Sequence, residues 1–208
     1  MQWYQRAAEQ GNADAQYNLG FMYQNGQGVQ KSDQEAVQWY QRAAEQGNSF
    51  GQRNLGSMYR DGRGVPQSDR EAVKWYQCAA EQGNSFGQNN LGRMYENGRG
   101  VPKSDREAVK WYRLAAEQGN SFGQNNLGRM YENGRGVYKD HKKAFKWYKK
   151  AAEQGYAAAQ YNLGLIYENS MGTNENQKEA LKWYKKAAKQ GHAAAKNKLD
   201  EWEIDYAD

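Results

Sequence analysis

Histidine, cysteine and proline are scarce in this chain of 208 residues, which holds two His (His141, His192), two Pro (Pro66, Pro102) and one Cys, Cys78. A structural zinc site usually draws four converging ligands from Cys and His, and a catalytic one draws three. A nucleophile needs a base within hydrogen-bond reach. Neither can be assembled from so thin a set, so no metal, no cofactor and no catalytic centre is expected. The lone thiol excludes an internal disulfide and leaves the redox compartment open. No apolar run approaches the roughly 20 residues of a membrane-spanning helix, so no membrane span is expected. No signal peptide is recognisable either. The net charge of +5 comes without a dense basic stripe, since every arginine lies at or before Arg135 and most lysines lie after it. Nucleic acid is therefore an unlikely partner, and the lysines read as solvated helix faces. Low hydrophobicity does not mean disorder here, because seven Trp and sixteen Tyr supply an aromatic core.

Repetition is what the chain has in abundance. The stretch GNSFGQNNLGRMYENGRGV occurs at 83–101 and again, unchanged, at 119–137, and a Trp-Tyr pair recurs every 36 residues from Trp3-Tyr4 to Trp183-Tyr184. A fixed period of this size marks a solenoid, in which each unit buries its apolar face by stacking on the next. Five units follow, each opening at a glycine: 11–46, 47–82, 83–118, 119–154 and 155–190. Residues 1–10 read as the second helix of a truncated preceding repeat, which predicts a fragment of a longer array. Residues 191–208 read as a capping helix with an acidic tail, because Asp200 replaces a packing glycine and Glu203 a core tyrosine.

The third unit shows how each one folds. Gly83 can end the preceding helix in a left-handed conformation, and Asn84 can cap the next. Leu91, Met94 and Tyr95 follow at helical spacing, with Gly92 allowing a neighbour to approach. Gly98 stops this first helix, Val101 folds back over its last turn, and Pro102 cannot continue it. Ser104 and Glu107 are spaced as a capping box. The second helix then gathers Ala108, Val109, Trp111, Tyr112, Ala115 and Ala116 on one face, so Trp and Tyr are both expected in the core. The box recurs as Ser32/Glu35, Ser68/Glu71 and Asn176/Glu179. It is expected to fail in the fourth unit, at Lys139 and Lys143. Tyr156 and His192 replace the capping Asn, while Ser170 and Thr173 replace turn residues, which predicts lower stability toward the end of the chain. The GRG loops lack the preceding strand of a phosphate-binding loop and serve as helix stops.

The joint pattern NNLGRMYENGRGV…DREAVKWYRLAAEQG resembles the Sel-1-like repeat, a relative of the tetratricopeptide repeat, over nearly the whole chain. The resemblance implies an all-α fold, an α/α superhelical solenoid, in a bacterial protein acting as an adaptor, a host-interaction factor or a toxin inhibitor. It places the first helix of each pair along a concave groove. Cysteine-rich relatives staple each pair with a disulfide, a property this chain cannot share. The compartment stays open between bacterial cytoplasm and, if a leader was removed, periplasm or exterior.

Comparison of the units with one another separates scaffold from surface. One first-helix set varies: Asp14, Tyr17, Phe21 and Gln24; then Phe50, Arg53, Ser57 and Arg60; then Phe86, Asn89, Arg93 and Glu96; then Phe122, Asn125, Arg129 and Glu132; then Ala158, Tyr161, Leu165 and Glu168. Steps of three, four and three residues keep each set on one helix face. Aromatic and Arg residues are typical interface anchors. The expected partner-binding residues are thus Tyr17, Phe21, Phe50, Arg53, Arg60, Phe86, Asn89, Arg93, Phe122, Asn125, Arg129 and Tyr161, holding a protein or peptide of unknown identity on a monomeric chain. The second helices carry Gln or Lys at matching positions and read as convex surface needing no partner. An immunity protein that blocks one toxin is the alternative function. A helical-repeat RNA binder is third, since Glu96, Glu132 and Glu168 would repel phosphates.

Overall fold

The computed structural model describes residues 2–169 and 174–202, and among them the chain forms twelve helices and no strand. It divides into two compact units, Met1–Leu114 and Ala115–Asp208. The first contains α1 (Gln2–Glu9), α2 (Ala13–Asn25), α3 (Asp33–Glu45), α4 (Ser49–Asp61), α5 (Asp69–Glu81), α6 (Ser85–Asn97) and most of α7 (Asp105–Glu117). The second contains α8 (Ser121–Asn133), α9 (His141–Glu153), α10 (Ala157–Asn169), α11 (Asn174–Lys189) and α12 (Ala193–Glu201). Within each, consecutive helices pair as antiparallel hairpins that stack on their neighbours.

In the first unit, Asn12, Asn48 and Asn84 each accept the backbone N–H three residues on, at 2.8, 2.7 and 2.9 Å. The same asparagine finishes the preceding helix. Asn48 N–H donates to the Ala43 carbonyl, and Asn84 N–H to that of Ala79, both at 3.0 Å. Ser32, Ser68 and Ser104 cap the second helices at 3.2 Å. Only half of the predicted capping box forms. The serine N–H groups donate instead to the carbonyls of Tyr23, Tyr59 and Tyr95, which frees Glu71 and Glu107 to sit 3.7 Å from Lys74 and Lys110.

Two glycines make the turn after each first helix, for different reasons. Gly62 and Gly98 stop α4 and α6 in the left-handed region, both at φ 65°. Gly64 and Gly100 combine a positive φ with close approach, because a Cβ there would lie 2.3 Å from the carbonyl oxygen of Asp33 or Asp69. The turn thus lies on the start of the preceding unit's second helix. The arginine between the glycines forms a fork with that aspartate, Arg63 to Asp33 at 2.6 and 3.1 Å and Arg99 to Asp69 at 2.7 and 3.0 Å.

Trp and Tyr part company in the core. Tyr40, Tyr76 and Tyr112 are fully buried, as are Tyr148 and Tyr184 in the second unit, and Gly20, Gly56 and Gly92 lie against the first three rings. Trp39 and Trp75 are half-buried and pack against the edge of the core, while Trp3 is exposed, so the expectation of a core role is corrected for Trp3 and holds only at the rim for the other two. Trp111, in contrast, is buried with Tyr76, Leu91 and Met94. Cations cover the tryptophans, Arg42 on Trp39 at 4.5 Å, Lys74 on Trp75 and Lys110 on Trp111 at 5.2 Å. Those second-helix lysines therefore have a partner after all, worth roughly 0.5–1 kcal/mol each at an exposed site.

A seam of glutamines binds one hairpin to the next. In the first unit Gln16 and Gln52 donate to the carbonyls of Ala8 and Ala44, at 3.0 and 3.1 Å. They accept from Gln46 and Gln82, at 2.6 and 2.7 Å. The second unit repeats this with Gln124 on Ala116 and Gln160 on Ala152, joined by Gln154 and Gln190.

The second unit corrects two expectations about caps. Asp140, one residue beyond Lys139, caps α9 by accepting Lys143 N–H at 2.9 Å, so the fourth repeat keeps its cap. Asn176 lies inside α11, which starts at Asn174. His192 also serves as a cap, its Nδ1 accepting Ala195 N–H at 3.3 Å. The predicted replacements at Ser170, Thr173 and Glu203 lie outside the described residues.

Candidate partner-binding face

The varying positions of the first helices do not all reach the surface. In the first unit Phe21, Phe50 and Phe86 are 41%, 50% and 43% exposed. The rings of Phe50 and Phe86 are braced from the neighbouring hairpin. Tyr17 lies 5.7 Å from Phe50 and 6.1 Å from Tyr40, and the Arg53 guanidinium stands 5.3 Å over Phe86. Arg93 is exposed and borders a small cleft with Arg60 and Arg99. Arg60 turns aside to make a fork with Asp61 at 2.7 and 2.8 Å. That contact raises the arginine's pKa and holds the aspartate below its ordinary value.

Asn89 does not join this face. It is buried, as is its second-unit counterpart Asn125, which accepts from Asn162 at 3.0 Å. Both asparagines sit below the surface, where they cannot meet a partner.

The fourth position of each set proves to be the polar ceiling of the core. Tyr40 OH donates to Gln24 at 2.6 Å and Tyr112 OH to Glu96 at 2.7 Å, with Glu96 itself buried. Where Arg60 occupies that position, Tyr76 OH meets Ser57 at 3.0 Å instead. Burial pushes the phenols of Tyr40 and Tyr76 up. A phenol kept neutral is a dependable donor, and a buried hydroxyl without a partner would be costly.

In the second unit Phe122 is 42% exposed, its ring 4.9 Å from Tyr156. Tyr156 stands at the capping-Asn position, so an aromatic contact occupies the place of a helix cap. Arg129 is half-buried. Tyr161 stacks on His192 at 4.7 Å and lies 5.6 Å from Tyr184, so it braces α12 rather than standing clear. Tyr148 OH donates to Glu132 at 2.7 Å and Tyr184 OH to Glu168 at 2.5 Å. Burial first, and the carboxylate second, push both phenols up. Glu168 also takes Lys198 Nζ at 3.0 Å. Sequence comparison missed this pair, although Lys198 standing where other repeats have Asn was a visible signal.

Hairpins of this geometry, repeating every 36 residues, make the chain an α/α solenoid, and it belongs to the Sel1 repeat family. The family's profile matches residues 1–12, 13–48, 49–84, 85–120, 121–156 and 157–192. Among solved structures, a Sel1 repeat protein from Oxalobacter formigenes is 40% identical, with 89% of this chain and 74% of that one covered and a TM-score of 0.83. A Sel1 repeat protein from Klebsiella pneumoniae subsp. pneumoniae is 25% identical, covering 96% and 97%, with a TM-score of 0.62. An immunity protein from Pseudomonas aeruginosa shares the fold at 24% identity, covering 95% and 72%, with a TM-score of 0.56. No curated protein matches the chain. Among the described residues, no group of three or more His, Cys, Asp or Glu could hold a metal, and no helix is long and apolar enough to cross a membrane.

Proposed function

We propose that this chain is a non-catalytic scaffold that takes a protein or peptide on the face formed by its first helices. The observation that carries this reading is the exposure of Phe50, Phe86 and Phe122 at one repeated position, in hairpins that fully bury Leu55, Leu91, Leu127, Tyr76, Tyr112 and Tyr148. Each half-exposed ring forfeits about 25 cal/mol for every Å² left in water. A partner that covers the rings recovers that energy. Phe21, Phe50, Phe86 and Phe122 serve as anchors, with Arg53 stacked behind one of them and Arg93 free to turn toward an acidic or carbonyl group. In the first unit Arg60 borders the same cleft as Arg93. Tyr17 supports the Phe50 ring, and in the second unit Tyr161 braces α12 while Asn125 ties α8 to α10.

A narrower version is a dedicated inhibitor of one toxin enzyme, which the fold shared with an immunity protein favours. It would appear as a tight stoichiometric complex that abolishes the partner's activity. The test is affinity capture from lysate of the source organism with the native chain and with Phe50→Ala, Phe86→Ala, Arg93→Ala and Phe122→Ala combined. The variant must keep its helical circular dichroism. Each hot-spot anchor is worth at least about 2 kcal/mol, or roughly 30-fold in affinity, so the captured protein should be lost. An equal yield on both chains overturns the reading.

A further inference from the structure

The outer helices of the second unit carry a charge that the fold does not require. α9 holds Lys142, Lys146, Lys149 and Lys150, and 36 residues on α11 holds Lys178, Lys182, Lys185 and Lys186 at the same places. Seven of the eight are exposed and Lys185 is half-buried, while the opposite sides of the helices bury Ala144 and Tyr148, or Ala180 and Tyr184. α10 packs against both helices, and the shared register presents the two rows on one side of the unit. Exposure belongs to the position itself. Gln34 and Arg70, the counterparts of Lys142 in the first unit, are exposed with the following turn in place against each helix start.

The rows fill with charge along the array. The same four places read Gln34, Gln38, Gln41 and Arg42 in α3, then Arg70, Lys74, Gln77 and Cys78 in α5. Those helices also open on acids, Asp33 with Glu35 and Asp69 with Glu71. α9 opens instead on His141, Lys142 and Lys143, with no acid in its first turn.

This arrangement works against the helices that bear it. A helix N-terminus favours anions, and like charges four residues apart, as in Lys142, Lys146 and Lys150, are destabilising. Glu153 and Glu179 reach Lys149 and Lys182, at 3.9 and 3.1 Å, but exposed pairs count for little. Stacking on Trp147 and Trp183 accounts for Lys150 at 4.7 Å, Lys186 at 4.5 Å and, farther off, Lys182 at 5.8 Å. It explains none of Lys142, Lys146, Lys149, Lys178 or Lys185.

We infer that this face binds the surface of an anionic lipid bilayer, with its lysines among the headgroup phosphates. A basic amphipathic helix suits a membrane surface, and here two stand together. Every full cation of α9 and α11 is a lysine. Lysine is a hydrated point charge that needs no fixed contact geometry, whereas arginine supplies the bidentate fork used on nucleic-acid phosphates and base edges. A single strand would also draw on exposed rings for stacking. On these helices Tyr148, Trp183 and Tyr184 are buried, and Trp147 lies under Lys150. A bilayer needs only the summed field, to which each lysine near the surface adds about fivefold in affinity.

The test is flotation of the full chain with vesicles of phosphatidylglycerol and phosphatidylcholine in equal parts, against phosphatidylcholine alone. Binding to the anionic vesicles only is expected, and it should vanish toward molar salt, where the screening length falls to about 3 Å. Lys146→Gln, Lys149→Gln, Lys178→Gln and Lys185→Gln combined install the residues that α3 carries at these places, Gln34, Gln38 and Gln41. That variant should keep its helical circular dichroism and urea midpoint while losing at least about 100-fold in vesicle affinity. Arginine at the same four positions should preserve the binding. Equal binding to both vesicle types, no binding to anionic vesicles at low salt, or full binding by the glutamine variant overturns the inference. So does tighter binding of duplex DNA or poly-glutamate than of anionic vesicles at matched charge and salt, which would assign the face to a nucleic acid or an acidic protein. Capture on the phenylalanine face depends on none of these results, so the two readings fail separately.

Discussion

Replacing Gly92 by alanine sets two rules against each other. In a helix interior alanine is favoured over glycine by about 1 kcal/mol, so the change should stabilise α6. The neighbouring ring argues otherwise. A Cβ at position 92 would lie 2.7 Å from both Cδ1 and Cε1 of Tyr112 and 3.3 Å from the Ala108 carbonyl oxygen. Carbon atoms prefer separations of about 3.5–4.0 Å, so the ring would have to retreat by close to 1 Å. It is fully buried and its hydroxyl is tied to Glu96, so retreat means displacing α7. Overpacking of this kind costs about 1–3 kcal/mol, and after the helix gain a net loss of up to about 2 kcal/mol is expected. Urea denaturation followed by circular dichroism measures it. Repeating the change in a Tyr112→Leu background isolates the cause, because there alanine should become neutral or stabilising. Stabilisation in the native background, or the same loss in both, would refute the packing argument.

Asp69→Asn removes the carboxylate that the Arg99 fork grips. The pair is partly exposed, so the loss should be about 0.5–1 kcal/mol, seen as a lower urea midpoint and shrinking in molar salt as screening replaces the pair. His192 gives a pH effect whose sign follows from burial. Its pKa is held below the ordinary 6.5, so the unfolded chain takes up the proton more readily. The contribution is complete above 6.5, falls as pH drops through 6.5 toward the folded value, and levels off below that. His192→Asn, which restores the cap used at Asn12 and Asn48, should flatten this part of the stability–pH curve, and superimposable slopes for the two chains would count against it.

The fold was legible because its signals are local and repeated. Asn48 and Asn84 cap where the spacing places them, and Gly62 and Gly98 stop helices by the left-handed conformation that only glycine adopts cheaply. Errors arose where one residue type serves two environments. Trp and Tyr are adjacent in sequence, but a helix turns about 100° per residue, so Tyr76 points into the hairpin while Trp75 lies at its rim under Lys74. The cap of α9 was missed because its register was read at Lys139, one residue before Asp140. Asn89 and Asn125 looked like surface because their position varies between repeats, from Tyr17 and Arg53 to Tyr161, yet both are buried. Variation marks positions freed from the repeat's constraint, and freedom from that constraint is not exposure.

The glutamine seam has an evolutionary consequence. Four junctions, two in each unit, are made by the same atoms, an amide on an alanine carbonyl and a second amide on the first. Excising residues 47–82 would leave Gln46 joined to Gly83, and Gln88 would find in Ala44 the carbonyl that Ala80 offers it now. Recombination between near-identical segments such as 83–101 and 119–137 can therefore lengthen or shorten the array by whole units without creating an unmatched edge. A lineage can thus change its reach faster than point mutation could alter the binding face.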